Sequence, residues 1–231
     1  MDWMLNELAF AGPEHLDETY VPGYDHKAGT DPTEDVEFLR AQGLNASHTL
    51  IDFGAGTGAF ALAIAPYCQR VIAVDVSPAM LQVLSAQIAR QGISNVEVVQ
   101  AGFLSYVHMG NPADFIYSRH ALHHLPDFFK VVALKRVAAI LRPDGTLFLR
   151  DLIISCEPEE IDSVIEGWLS KASVTPDVGW TRGELVTHLQ DEYSTFSWLL
   201  EPMLEHAGFT IRQVQHDPSR VRSSYLCVRN E

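Results

Sequence analysis

The stretch SRHALHHLPDFF, Ser118 to Phe129, sets three histidines within five positions beside an arginine and an aspartate. Imidazole can ligate a metal, move a proton near neutrality or sit as a hydrogen-bonded, half-buried ring. A zinc site needs three or four rigid ligands, and His120 with His124 offers one i, i+4 pair. No H-E-x-x-H acid accompanies that pair, so the sequence predicts no metal. The other chemistry is proton transfer or acceptor contact: His120 is the candidate base and His123 a candidate contact. Arg119 either grips an acceptor carboxylate or phosphate bidentately or pairs with a neighbouring acid. His124, just before Leu125 and Pro126, reads as structural.

A second chemical signal lies upstream in LIDFGAGTGAF, Leu50 to Phe60. Gly54, Gly56 and Gly58 let the backbone turn sharply and approach a ligand, with Ala55 between them and a helix N-terminus following. Asp75 closes the next apolar run at about the 20-residue spacing of a ribose-binding acid. Two cofactors fit this pattern. G-A-G-T-G-A satisfies the dinucleotide fingerprint, which would make the protein a nicotinamide-dependent oxidoreductase. A nucleoside carrying a positive sulfonium is the other, and Asp52 favours it, because an anion beside the bend attracts an ammonium group and repels a diphosphate. A module that binds such a cofactor without catalysis is a third reading.

These residues need a scaffold, and the apolar pattern supplies one. TLIDF, RVIAVDV, VEVVQAG, DFIYSRH and TLFLRDLII are strand-length runs. Between them lie helix-length segments such as SPAMLQVLSAQIARQG, where Ser77 caps and Pro78 opens the first turn. Strands apolar on both faces and separated by helices predict an α/β, doubly wound, mostly parallel sheet. FTIRQVQH and SSYLCVR close it as an antiparallel hairpin, for seven strands in all. Residues 1–45 precede this domain of residues 46–231 as helical pieces and a lid, in which Tyr20 and Tyr24 flank Pro22-Gly23 and lead to Lys27. A helical insertion over about 157–205 precedes the hairpin, with Thr181 and Glu184 at capping-box spacing. The acceptor pocket is expected among the lid, Asp151 and the insertion's Trp168, Trp180, His188 and Trp198.

On these residues the chain resembles the class I S-adenosylmethionine-dependent methyltransferases. LIDFGAGTG matches their first motif, VIAVDVS the second, ADFIYSRHALHHLPD the fourth and LRPDGTLFLRD the strand after it. It is most similar to the small-molecule branch that includes quinone-biosynthesis enzymes. The resemblance implies S-adenosylmethionine as cofactor and S-adenosylhomocysteine as product. It implies that Asp52 and the Gly54–Gly58 loop hold the methionyl part and Asp75 the ribose hydroxyls. Val76, Ser77, Pro78 and Met80 would flank the adenine, with Ser118, Tyr24 and Lys27 also near the cofactor. One departure stands out: where many members carry an acid after the third strand, this chain has Gly102 and Phe103, which implies backbone and apolar contact with adenine.

Bulk properties narrow the partners. Sixteen basic against thirty acidic residues give a net charge of −14, which argues against nucleic acid. Cys68, Cys156 and Cys227 are scattered, so no disulfide framework or zinc knuckle is indicated. The acidic MDWMLNELAF start lacks signal-peptide character, and no long apolar span occurs. The expectation is a cytoplasmic enzyme, monomer or homodimer, acting on a small molecule away from membranes.

Overall fold

The computed structural model describes residues 3–29, 31–176 and 178–231; residues 1 and 2 of the acidic start lie outside this range. Three short helices come first: α1 (Pro13–Leu16), α2 (Tyr24–Ala28) and α3 (Thr33–Ala41). The alternating part runs β1 (Thr49–Phe53), α4 (Ala59–Ile64), β2 (Arg70–Asp75), α5 (Pro78–Gln91), β3 (Val96–Gln100), β4 (Ala113–Arg119), α6 (Asp127–Ile140) and β5 (Leu141–Asp151). Then follow β6 (Ile153–Ile154), α7 (Ile161–Leu169), α8 (Arg182–Asp191), β7 (Thr195–Phe196), α9 (Ser197–Ala207), β8 (Phe209–His216) and β9 (Ser223–Arg229).

Seven of these strands make one sheet in the order β3-β2-β1-β4-β5-β9-β8. β1 to β5 pair in parallel, while β9 runs antiparallel to both β5 and β8. The closing hairpin therefore inserts its second strand between β5 and its first. The chain leaves β1 toward β2 on one side and returns to β4 on the other, so a crevice opens at the C-terminal ends of β1 and β4.

Alternation along the strands builds a core on each face. Ile51, Phe53, Ile72, Val74 and Ile116 pack with Leu134 and Val137 of α6 and Leu200 and Leu204 of α9. Leu50, Val71, Ala73 and Phe115 pack on the other face with Leu39 of α3, Ile64 of α4 and Leu84 of α5. The helices begin where the sequence places their caps. Ser77 Oγ accepts from the Met80 N–H at 3.1 Å, and Thr181 with Glu184 forms a reciprocal capping box. A short parallel pair, β6 with β7, ties the insertion's two ends together; two residues per strand leave no alternation for the sequence to show.

Gly58 caps α4 with φ 89, and a Cβ there would lie 2.1 Å from Leu84 Cδ1. Its role is close packing of α4 on α5, not ligand contact, which corrects the expectation that it touches cofactor. Gly58→Ala is expected to lower the unfolding free energy by about 2–4 kcal/mol, from overpacking and a strained left-handed alanine. Gly92→Ala, with φ 65 but open space around it, should cost only about 1–2 kcal/mol from conformation alone. Equal losses in chemical denaturation would show that the Leu84 contact does not matter.

Candidate functional site

The bend out of β1 is held by backbone contacts that glycine alone permits. A Cβ on Gly54 (φ 75) would stand 2.3 Å from Ala121 Cβ, so the loop after β4 lies directly against the bend. Gly56 (φ 54) faces open space, with Met80 Sδ at 4.0 Å from a Cβ placed there. The Gly56 N–H donates to Asp75 Oδ2 and the Ser77 N–H to Asp75 Oδ1, each at 2.8 Å. One carboxylate at the end of β2 thus fixes both the glycine loop and the start of α5.

A cavity opens at this point in the crevice. Asp52, Gly54, Ala55 and Gly56 line it from the β1 side, and Asp75, Val76 and Met80 from β2 and α5. Gly102 and Phe103 after β3, Ser77 before α5, Tyr24 of α2, Arg119 at the end of β4 and His120 after it complete the predicted residues that reach it. Ser118, Lys27 and His123 do not line it, nor does Gly58. Ser118 is buried in β4 with its Oγ unpartnered. Lys27 turns away to pair with Glu184 of α8 at 2.5 Å, its ammonium over the rings of Tyr20 and Trp180. Its part is to join lid and insertion, which corrects the expectation of cofactor contact.

The electrostatics of the cavity are acidic. Asp52 is only 2% exposed, and its Oδ2 has no hydrogen-bond partner. Burial first, and then the charges of Asp75 and Asp35, push its carboxyl well above the usual range. Burial also raises Asp75, against the pull of its backbone hydrogen bonds. Among the described residues lining the cavity, Arg119 is the one Lys or Arg side chain. It already donates to Asp31 O at 3.4 Å and lies 3.7 Å from Asp35 Oδ2. Of its two expected roles, the ion pair is the one the structure displays.

The histidines divide into distinct environments. His120 leaves β4 with φ 52, a conformation rare for a side-chain-bearing residue, and its N–H donates to Arg150 O at 2.9 Å. Its Nδ1 is buried without a partner, and burial pulls the ring down to about 3, away from the near-neutral titration expected of a base. His124, read from the sequence as structural, lines the cavity and is likewise pulled down to about 3 by burial. His123 lies off the cavity with Asp151 against one ring nitrogen and Glu192 against the other. Burial lowers its affinity for a proton, but those two acids prevail and raise it to about 9. The expected acceptor contact through His123 is not what the structure displays: its ring lies off the cavity, between Asp151 and Glu192. The zinc pair weighed from spacing, His120 and His124, is also not the set of donors that converges here.

Residues far upstream complete the site, and the sequence held no local signal for them. Glu7 is buried and accepts from the N–H groups of Leu104 and Ser105 at 3.0 Å each and from Ser105 Oγ at 2.8 Å. A Cβ on Gly102 would lie 2.3 Å from Glu7 Oε1. Gly102 is therefore a glycine because the Glu7 carboxylate fills the space of its missing side chain. Asp25 of α2 accepts from Thr57 Oγ1 at 2.6 Å, and Ser77 Oγ donates to His15 O at 2.6 Å, which pins α1 and α2 over the bend.

A second cavity adjoins the first and shares Arg119 and His120 with it. Its other walls are polar, from Asp35 of α3, Arg150 and Asp151 of β5, and Gln213 and Arg222 near the hairpin. No residue of 157–205 lines either cavity, so the expected acceptor wall of Trp168, Trp180, His188 and Trp198 is not what encloses them. Trp180 packs on Tyr24 and Lys27 instead, and Trp198 is 45% exposed.

Residues 50–145 match a family described as a methyltransferase domain. The chain is similar to the uncharacterized methyltransferase YcgJ of Bacillus subtilis, with 38% identity over 106 residues, 46% of this chain and 41% of that protein. The matched part thus spans about two fifths of that relative's length. Among solved structures, an S-adenosylmethionine-dependent methyltransferase from Aquifex aeolicus superposes with TM-score 0.61 at 20% identity, covering 92% of this chain and 98% of that one. A phosphoethanolamine N-methyltransferase from Haemonchus contortus gives TM-score 0.73 at 14% identity over 99% of this chain and 61% of that one. At these identities the structures establish a shared fold.

The Glu7 contact generates a prediction. Glu7→Ala strips acceptors from two backbone N–H groups and should cost about 2–4 kcal/mol of stability. Gly102→Ala should cost about 1–3 kcal/mol by forcing the carboxylate aside. In the double variant the second cost should largely vanish; strictly additive losses in urea titrations would break the link between the two residues.

Proposed function

We propose that this chain, which belongs to the class I S-adenosylmethionine-dependent methyltransferases, transfers the methyl group of S-adenosylmethionine to a polar small molecule held beside His120. The observation that carries this reading is Asp52, a buried carboxylate with an unpartnered oxygen, facing the same cavity as Asp75 across a glycine bend. A dinucleotide would bring a diphosphate to that bend, beside the Asp52 carboxylate, whose charge repels it. The antiparallel β9 beside β5 also replaces the second mononucleotide half that a dinucleotide fold needs.

The residues present fit the sulfonium nucleoside. Asp75 and the Gly54–Gly56 backbone are placed for its ribose and methionyl portions, and Asp52 for positive charge. Val76, Met80, Gly102 and Phe103 form an apolar wall suited to adenine, with Glu7 behind Gly102. When bound, this cofactor supplies an electrophilic methyl group on a cationic sulfur. The protein's own task is then alignment and exclusion of water. α1 and α2 cover the bend through His15 and Asp25. His120, neutral because it is buried, accepts a hydrogen bond from an acceptor hydroxyl or amine and orients its lone pair, and the proton that the methyl group displaces passes to solvent. The acceptor occupies the second, polar cavity, which meets the first at Arg119 and His120. A net charge of −14 keeps nucleic acid out of that role.

Calorimetry tests the reading. S-adenosylhomocysteine and S-adenosylmethionine should bind while NADH does not; NADH binding with no response to either sulfur nucleoside would sink it. Asp75→Ala should weaken binding by about 1–3 kcal/mol, roughly 5–150-fold. The pH dependence follows from Asp52. Burial and the neighbouring carboxylates shift the Asp52 carboxyl toward its protonated form, and a cationic ligand favours the ionised form. Affinity for S-adenosylmethionine should therefore rise as pH is raised above the ordinary carboxylate range, and proton release should accompany binding, both flattened in Asp52→Asn. Titrations in buffers of different ionisation enthalpy read both quantities.

A further inference from the structure

Away from the cofactor cavity, the loop after β4 and the end of α8 bring three donors to one point. His123, His188 and Glu192 each offer an atom, and these atoms lie within 4.8 Å of one another. Glu192 Oε2 is 2.9 Å from His123 Nε2 and closer still to His188 Nδ1. It is nevertheless buried without a hydrogen bond of acceptable geometry to either ring. An anionic oxygen pressed between two ring nitrogens, with neither N–H aimed at it, is how ligands stand around a shared centre.

The outer partners match that arrangement. His123 Nδ1 faces Asp151 Oδ1, and this carboxylate is fixed by the N–H groups of Leu122 at 2.8 Å, His123 at 3.1 Å and Leu152 at 2.7 Å. The second nitrogen of His188 faces Ser194 Oγ at 3.0 Å. A carboxylate or hydroxyl behind each ring fixes its tautomer and turns the remaining lone pair inward, as outer partners do in zinc sites. Charge agrees as well. Among the described residues, Asp151 and Glu192 form ion pairs with these two histidines alone, so a dication would balance two carboxylates that no Lys or Arg neutralises.

We propose that His123, His188 and Glu192 bind a divalent transition metal, zinc by the nature of the donors, with water as fourth ligand. Two imidazoles and a carboxylate are borderline ligands that suit zinc, with no thiolate in the set. Donors at zinc–nitrogen distances of about 2.0–2.1 Å sit closer together than the widest pair here, and the half-buried His188 and Glu192 have room to close in. The ion fastens α8 to the loop after β4. Through that loop it steadies His124, whose ring centroid is 4.3 Å from that of His123 and which lines the cofactor cavity.

The test uses the full chain without an affinity tag, stripped with chelator and titrated with zinc and with cobalt(II). One equivalent should bind, raise the melting temperature and give cobalt the visible absorption of a four-coordinate site. His188→Ala and Glu192→Gln should each weaken binding at least tenfold, with His206→Ala as an unaffected control. S-adenosylhomocysteine affinity should survive Glu192→Gln, which separates this site from the cofactor site. No stoichiometric binding, or stoichiometric binding that both ligand variants leave intact, would overturn the proposal.

Discussion

A buried carboxylate oxygen with nothing to bond is an unfinished structure, and Asp52 places that requirement at the centre of this protein. Removing a charged carboxyl from water costs several kcal/mol unless a partner replaces the lost hydration. Most buried polar atoms here have such partners; Asp75, for example, is met by the N–H groups of Gly56 and Ser77. Asp52 shares the cavity with Asp75 and stands at the end of β1, where the strand order reverses and no side chain crosses to neutralise it. Burial pushes the Asp52 carboxyl toward its neutral form. A positive charge placed in the cavity would offset that cost.

What surrounds that carboxylate is held by contacts between distant parts of the chain. Asp25 reaches Thr57 across the bend, Lys27 reaches Glu184 on α8, and Glu7 reaches the turn after β3. Each joins the segment before β1 to a different part of the chain. A charge-assisted hydrogen bond in a partly buried place is worth more than an exposed ion pair, and several that share one short segment reinforce each other. The N-terminal helices are too short to be stable alone, so these bonds and the apolar anchoring of Val21 against Ala79 and Met80 define their position.

The elements that depend on local pattern were legible in the sequence. β1, β2, α5, α6, α9, β8 and β9 lie where the apolar runs place them, and α5 begins at its own cap, Ser77. The glycine bend, Asp52, Asp75 and Met80 were legible for the same reason: one turn and the next strand position them. Residues set by tertiary contact were not. Gly102 looked like a missing acid, yet the carboxylate in that space comes from Glu7, 97 residues before its partner Leu104. His123 and His124 are adjacent in sequence and differ only in the direction the short helical turn sends each ring. Spacing cannot reveal that one ring enters the cavity while the other meets Asp151. The insertion's aromatics misled because helical spacing marks packing as readily as pocket walls.

Asp151 shows how the two sides of the site communicate. It ends β5, accepts backbone N–H groups from Leu122 and His123, holds the His123 ring and lines the second cavity. The same carboxylate therefore fixes the loop that presses Ala121 against Gly54 and borders the space beside His120. Any change in what His123 binds on its far nitrogen alters the charge that Asp151 must balance, and with it the field at His120, whose affinity for a proton Asp151 raises against the effect of burial. The glycine bend, the second cavity and the histidine–glutamate cluster are linked through one buried acid, so the insertion is coupled to cavities that none of its own residues line.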